Sequence, residues 1–374
     1  MSRPSAILQI LPTLVSGGVE RGTVEIAEAI ANAGYRALVA SAGGPLAADI
    51  TRVGGAHITL PLATKSPLGI LRNAASLVAI TRREGVAILH ARSRAPAWSA
   101  LLAARRSGAH FVTTYHGTYN EGLPGKRLYN SVMARGERVI AISRFIAELI
   151  AARHGTDTAR IRIIPRGVDP RRFDPARVPP ERVAALRYAW AAPPDRPVIL
   201  LPGRLTRWKG QGVLVEALAR LPGDALAVLV GGGNQAFADE LRAQAEALGV
   251  GDRLRVIGHV DDLAPALLAA DIVVHASTDP EAFGRTVIEA QAMARPVIAS
   301  DLGGPRETVE EGVTGWRVPP GDPAALAAAL ARALALPEAE RLAVGARARA
   351  TVLRRYTTAA MQAATLDVYR ELLP

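Results

Sequence analysis

Short runs rich in Val, Ile and Leu alternate along the whole chain with stretches whose apolar positions recur at helical spacing. In the first half the strand-like runs fall at residues 6–11, 37–40, 57–60, 87–90, 110–114, 138–142 and 162–164. Helical patterns lie between them, as at 19–33, 68–83, 98–106 and 145–153. The second half repeats the scheme, with strand-like runs at 198–201, 225–230, 254–257, 272–276, 297–299 and 315–318. Strands separated by helices of roughly 10–15 residues give βαβ units and parallel sheets. Two such sets predict an α/β chain of two Rossmann-like domains.

The boundary is expected in the stretch 169–197, which is rich in proline and charge: Asp174-Pro175, Val178-Pro179-Pro180 and Pro193-Pro194. This gives a first domain over 1–175, a second over 176–355 and a C-terminal helix over 356–374 that packs back on the first. The alanine-rich run from Pro323 to Leu330 predicts a helix, since Ala and Leu are the best helix formers. Gly321 ends the preceding loop, Asp322 suits the N-cap and Pro323 the first helical position.

Composition narrows the class. At 374 residues the chain is long for one core, and 49% hydrophobic content is ample for two. No stretch is long and apolar enough to span a membrane. The run 6–11 resembles a signal peptide, but Pro12 and Gly17-Gly18 interrupt it, and a first strand is the better expectation. The absence of cysteine excludes disulfides, cysteine-ligated clusters and thiolate chemistry, which suits a cytoplasmic location. Charge is uneven. Residues 1–180 carry 24 Lys+Arg against 11 Asp+Glu, a net of +13; residues 181–374 carry 21 against 23, a net of −2. An anionic substrate or membrane surface met by the first half is the expectation.

Candidate chemistry sits where strand-like runs end. The most informative stretch is Asp279-Pro280-Glu281-Ala282-Phe283-Gly284-Arg285-Thr286-Val287-Ile288-Glu289-Ala290. Gly284 permits close approach of a ligand, and the N–H groups of Phe283, Gly284, Arg285 and Thr286 would open a helix N-terminus suited to an anion. Glu281 before the turn and Glu289 on the helix can accept from sugar hydroxyls. Gly203-Arg204-Leu205-Thr206-Arg207-Trp208-Lys209-Gly210 follows the run 198–201, and Arg204 and Lys209 can reach one diphosphate. Gly231-Gly232-Gly233 follows the next strand, as a close approach to a nucleotide or as a flexible turn. In the first half, Ser16-Gly17-Gly18-Val19-Glu20-Arg21-Gly22 follows the first strand, and His116-Gly117 follows the run 110–114. A P-loop motif, an Asp-x-Asp metal clamp and zinc-type histidine spacing are all missing from the sequence.

Together these pieces resemble glycosyltransferase family 4, the group 1 retaining transferases of GT-B architecture. The matching segments are Gly17-Gly18-Val19-Glu20-Arg21, Tyr115-His116-Gly117, Ile164-Pro165-Arg166-Gly167-Val168-Asp169, Gly203-Arg204 with Lys209-Gly210, Val256-Ile257-Gly258 and the Glu281…Glu289 pair. The resemblance implies two Rossmann-like domains facing across a cleft. Arg204 and Lys209 would hold the donor diphosphate, and Glu289 the ribose. Glu281 with the turn around Phe283-Gly284 would hold the donor sugar, and His116 would lie near the transfer centre. Gly17, Gly18 and Gly232 would approach phosphate or sugar, and the backbone at Ile257 the base. Glu281, His116, Lys209 and Arg204 are thus the expected catalytic group. Three positions depart from the commonest family pattern: Arg166 stands where asparagine is frequent, Ala282 where glycine is, and Ala294-Arg295-Pro296 lacks a frequent glycine.

The implied reaction moves a sugar from a nucleoside diphosphate (UDP-sugar or GDP-mannose) to a hydroxyl of a cell-envelope glycan or lipid-linked acceptor such as lipopolysaccharide core. No cofactor and no essential metal are expected. Arg92 and Arg94, with Arg105 and Arg106, and Lys126 and Arg127, with Arg135, are the expected contacts for an anionic acceptor or the inner face of the cytoplasmic membrane. No nucleic-acid partner is expected: aromatic residues are only 4% of the chain, leaving few stacking platforms. The alternatives are a nucleotide-sugar epimerase of the same fold, or a non-catalytic anionic-ligand or nucleic-acid binding protein.

Overall fold

A computed structural model describes residues 4–15 and 17–373. Ser16, before the paired glycines, lies outside them. The chain forms two compact units, Met1–Arg166 with Thr358–Pro374, and Gly167–Thr357.

The first unit is built on seven parallel strands: β1 (Ala6–Ile10), β2 (Arg36–Ser41), β3 (Ala56–Thr59), β4 (Val86–Ala91), β5 (His110–Tyr115), β6 (Arg138–Ala141) and β7 (Ile161–Ile163), in the order β3-β2-β1-β4-β5-β6-β7. The apolar run expected at 6–11 is β1, bonded to β2 on one side and β4 on the other. All five of its residues are buried, so both faces are covered, as the all-parallel arrangement requires. Helix α1 (Gly18–Asn32) turns Ile26 and Ile30 into a core that also takes Ile7, Val39, Ile88, Val112 and Ile140. Each such buried side chain contributes roughly 1.5–3 kcal/mol.

The second unit repeats the scheme with six parallel strands: β8 (Val198–Pro202), β9 (Leu226–Val230), β10 (Leu254–Ile257), β11 (Ile272–His275), β12 (Val297–Ser300) and β13 (Gly315–Val318), in the order β10-β9-β8-β11-β12-β13. The alanine-rich helix is present as Pro323–Ala335, with the Asp322 side chain accepting from the Ala325 N–H at 2.9 Å.

The units divide earlier than the proline-rich stretch suggests. Gly167 opens the second unit, and the Val168 N–H that follows it donates to the Tyr356 carbonyl at 2.9 Å, tying it to the end of that unit. The prolines mark a loop and the start of a helix (Pro180–Ala189) inside the second unit. Recounted on these units, the first holds 22 Lys+Arg against 11 Asp+Glu and the second 23 against 23. The whole net charge of +11 therefore belongs to the first unit.

The last helix, Thr358–Arg370, belongs to the first unit. It buries Met361, Val368 and Tyr369 in that core. His90 on β4 pins it: Nδ1 bonds the Tyr369 hydroxyl at 2.6 Å and Nε2 the Thr114 hydroxyl at 2.7 Å. Burial pushes the His90 imidazole well below its ordinary value, and Arg92 pushes the same way. The folded protein therefore keeps it neutral where the unfolded chain, titrating near pH 6.5, takes up a proton. Stability should fall as pH drops below about 6.5. A thermal-melting series from pH 7.5 to 5 should show this, with a flatter profile for His90→Gln; identical slopes would contradict it.

In both sheets the order of the strands reverses at one place, between β1 and β4 and between β8 and β11. Open parallel sheets bind ligands outside the carboxyl ends of strands at such switch points. The Gly17-Gly18 loop leaves β1 and Arg92 leaves β4; the Gly203–Gly210 loop leaves β8 and the Glu281 loop leaves β11.

Candidate active site

In the second unit the loop after β8 folds as a tight turn over Arg207–Lys209, closed by Gly210 in the left-handed region at φ 74°. It is held to the exit of β11 by the Thr278 N–H, which bonds the Trp208 carbonyl at 2.8 Å. Gly231-Gly232-Gly233 is no flexible turn. Gly203 donates to the Val230 carbonyl at 2.8 Å and Leu205 to the Gly232 carbonyl at 3.0 Å. A Cβ on Gly231 would lie 2.7 Å from the Gly203 carbonyl carbon, and one on Gly233 would lie 2.6 Å from the Leu205 Cβ. The glycines let two backbones lie flat together and so shape the loop that carries Arg204 and Lys209. Beside them, Ile257 ends β10, and its carbonyl accepts from the Gly231 N–H at 3.3 Å.

Arg204 and Lys209 differ in state. Arg204 is exposed and has no carboxylate partner among the described residues. Lys209 is largely buried, pairs with Glu281 Oε1 and lies 4.6 Å from the Trp208 ring centroid. The same Glu281 oxygen accepts from His275 Nε2 at 2.6 Å and from the Ser277 hydroxyl at 2.5 Å. Burial alone would raise the Glu281 carboxyl, but His275 and then Lys209 outweigh it and hold it well below the usual carboxylate range. Glu281 is therefore an anion at neutral pH, unsuited to be a general acid.

The turn beyond Glu281 is shaped from behind by Gly303 and Gly304. Gly304 donates to the Glu281 carbonyl at 2.8 Å, and a Cβ on Gly304 would lie 2.7 Å from the Ala282 carbonyl oxygen. The Phe283 ring points into the core, 5.8 Å from that of Tyr356, so Phe283 can offer a ligand only its backbone. Gly284 caps the helix Arg285–Ala292 at φ 83°. The helix starts at Arg285, two residues later than the expected opening at Phe283. Arg285 and Thr286 thus lie in its first turn, and Arg285 meets Glu289 one turn on at 3.5 Å.

In the first unit, Gly17 precedes α1 at φ 135° and Gly18 is its first residue. Arg166 lies buried against this turn and donates to the Gly18 carbonyl. Its guanidinium occupies the space a side chain at position 22 would need, with Cζ 2.7 Å from where a Cβ would stand. The departure at Arg166 is thus accommodated by Gly22. His116 follows β5 with Nε2 buried and unpartnered. Burial pushes its imidazole well below the ordinary 6.5, and Arg92, Arg166 and His90 push the same way. It is a neutral group with one ring nitrogen unused.

The expected basic patch is only partly a surface. Arg92 is 2% exposed and donates to Gln9 Oε1 at 3.1 Å, so no membrane reaches it. Arg94 is half-buried, bonds Asn130 at 2.8 Å and lies 4.2 Å from the Tyr119 ring centroid. Lys126 is half-exposed, Arg127 is exposed and donates to the Arg153 carbonyl, and Arg105 and Arg106 are exposed. His275, Ser277 and the Gly303-Gly304 turn were not among the sequence candidates. A paired glycine at 303–304, four residues past the run 297–299, was the available signal for the turn.

Family profiles and solved structures match the chain along its whole length. A profile described as Glycosyl transferases group 1 matches residues 184–351, and one described as Glycosyltransferase Family 4 matches residues 16–172. A crystal structure of a glycosyltransferase from Rickettsia africae is 36% identical and superposes with a TM-score of 0.90 over 100% of this chain and 99% of that one. Anabaena Alr3699/HepE in complex with UDP is 25% identical, with a TM-score of 0.86 over 98% of this chain and 100% of that one. The D-inositol 3-phosphate glycosyltransferase of Xylanimonas cellulosilytica is 40% identical over 246 residues, 64% of this chain and 58% of that protein. The chain spans about half the length of the curated relatives it matches. With both profiles in sequence and a full-length structural relative, the chain belongs to the group 1 glycosyltransferases of family 4, with the two Rossmann-like domains of the GT-B architecture.

Proposed function

We propose that the protein transfers a sugar from a nucleoside diphosphate to a hydroxyl of an anionic acceptor, with retention at the anomeric carbon. One observation carries this reading: at the β8/β11 switch point, Lys209 and the exposed Arg204 share a loop beside a Glu281 that is held by one oxygen only. Oε2 takes none of those bonds and can accept from sugar hydroxyls. The bond from the anomeric carbon to the β-phosphate breaks, and Arg204 and Lys209 take up the charge that develops on the leaving diphosphate. The acceptor oxygen bonds the same face of that carbon, and its proton leaves with the diphosphate. Neither glutamate is a nucleophile. In the first unit, the neutral His116 can donate to or accept from an acceptor hydroxyl.

The UDP in the Anabaena relative favours a uridine donor. The two cationic side chains and the start of the helix at Arg285 supply positive charge, so no essential divalent metal is needed; EDTA should leave turnover unchanged. A thermal-shift panel of UDP, GDP, ADP and their sugar conjugates tests the donor. At a hundredfold excess over Kd the matching nucleotide adds about 2.7 kcal/mol of stability. No shift with any of them would overturn the reading.

The acceptor class rests on the first unit, which carries the whole net charge. The curated relatives are named for D-inositol 3-phosphate, and a lipid-linked or lipopolysaccharide-core acceptor is anionic as well. No described helix is long and apolar enough to cross a membrane. Peripheral attachment to anionic lipid is supported by Leu123 and Leu128, 60% and 64% exposed, flanking Lys126 and Arg127. In liposome flotation, binding should require anionic vesicles and fall with Lys126→Glu/Arg127→Glu; equal binding to neutral vesicles would contradict it.

A further inference from the structure

We propose that His275 and Ser277 are positioning residues that hold Glu281 while Lys209 is handed from that carboxylate to the donor diphosphate. This rests on the donor reading given above.

The observation is an excess of donors on one atom. A carboxylate oxygen offers two lone pairs. Glu281 Oε1 meets three donors, the Lys209 ammonium, His275 Nε2 and the Ser277 hydroxyl. One of the three is surplus, and the geometry identifies which can leave. His275 sits on β11, 6% exposed, and Ser277 two residues on is 2% exposed. Both are fixed by the backbone of a buried strand end, and their side chains lie 3.3 Å apart. Lys209 reaches in from the neighbouring loop on a four-carbon stem, its ammonium near the Trp208 ring. It is the one member of the trio that can swing.

The exchange answers a specific difficulty. Lys209 cannot neutralise the diphosphate while it neutralises Glu281. If Glu281 had no other partner, releasing the lysine would leave a nearly buried carboxylate bare beside an incoming anion, an arrangement of high cost. With His275 and Ser277 in place, Oε1 keeps one donor for each lone pair. The carboxylate stays where Oε2 can meet the sugar, and Lys209 is free to follow the phosphate.

The test is calorimetric titration of the full chain with UDP, GDP and ADP. Wild-type protein binds at least one of them. His275→Leu with Ser277→Ala leaves Lys209 as the sole donor to Glu281 and weakens that nucleotide by about tenfold or more. Adding Glu281→Gln to that background releases the ammonium and restores affinity to within about twofold of wild type, without restoring sugar transfer. His275→Gln keeps a donor near the Nε2 position and binds like wild type. A merely structural role for the pair gives no recovery with Glu281→Gln, and that result overturns the proposal. If near-UV circular dichroism shows the double variant unfolded, Ser277→Ala with and without Glu281→Gln makes the same comparison at smaller amplitude, and no relief there overturns it equally. Failure of wild-type protein to bind any of the three nucleotides overturns the donor reading itself, and the exchange with it.

Discussion

Lys209→Ala should lower kcat by roughly 10²–10³, the loss usual when one preorganised donor to a developing anion is removed. The effect belongs mainly in kcat, because the diphosphate gains charge as its bond to the sugar breaks, and an ammonium placed for that charge matters more in the transition state than in the ground state. The protein should stay folded. Glu281 keeps the His275 and Ser277 donors at 2.6 and 2.5 Å, so the substitution strands no carboxylate without a partner. On the proposed donor reading Arg204 stays in the same loop to hold the nucleotide, which keeps the rise in KM to about the tenfold expected when Lys209 is withheld from the diphosphate. Steady-state kinetics with the donor identified by thermal shift, together with a melting curve, separate these outcomes. Turnover within a few fold of wild type would remove Lys209 from the catalytic group.

Much of this arrangement is legible in the sequence. Each of the thirteen structural strands lies within about a residue of an expected run: the inner strands, covered on both faces, are continuously apolar, the part-exposed edge strands β3 and β7 are short β-branched runs, and the intervening helices are polar on one side. The candidate loops stand out for a related reason. Glycine and charge directly after an apolar run mark a tight strand-to-helix turn, and the switch-point topology brings two such loops together in each unit. What stayed hidden depended on side-chain direction. His275 is embedded in Ile272-Val273-Val274, where it passes for one residue of a strand, and only the fold shows it meeting Glu281 six residues on. Arg92 reads in the sequence as part of a basic contact patch, and Arg166 as a departure from the family pattern. Their burial, 2% and 4% exposed, follows from partners on β1 and at the start of α1 that no local pattern announces. The units divide at Gly167 rather than in the proline-rich stretch: prolines report local backbone, whereas Val168 is tied to Tyr356, far apart in sequence.

Gly210→Ala should be the most destabilising single-methyl change in the site, costing about 2–5 kcal/mol. Two effects add. Gly210 has φ 74°, and a left-handed conformation costs a residue with a side chain roughly 1–2 kcal/mol. The new methyl would also stand 2.6 Å from the carbonyl carbon of Ala276, closer still to its oxygen, and 3.0 Å from its Cβ. That carbonyl is backbone at the end of β11, so relief must come from separating the Lys209 loop from the strand that leads to Glu281. Gly223→Ala separates the two effects, since Gly223 has φ 86° with nothing within 4 Å of its would-be Cβ and should suffer only the conformational cost. At about 2–4 °C per kcal/mol for a domain of this size, Gly210→Ala should lower the melting temperature by roughly 5–15 °C. It should also weaken nucleotide binding under conditions where the variant is still folded, because the loop that carries Lys209 has moved off its support. Gly223→Ala should lower the melting temperature by a few degrees and leave nucleotide affinity unchanged. Equal melting losses in the two variants, with nucleotide affinity intact in both, would show that the loop tolerates displacement from β11 and that Gly210 is present for its φ alone.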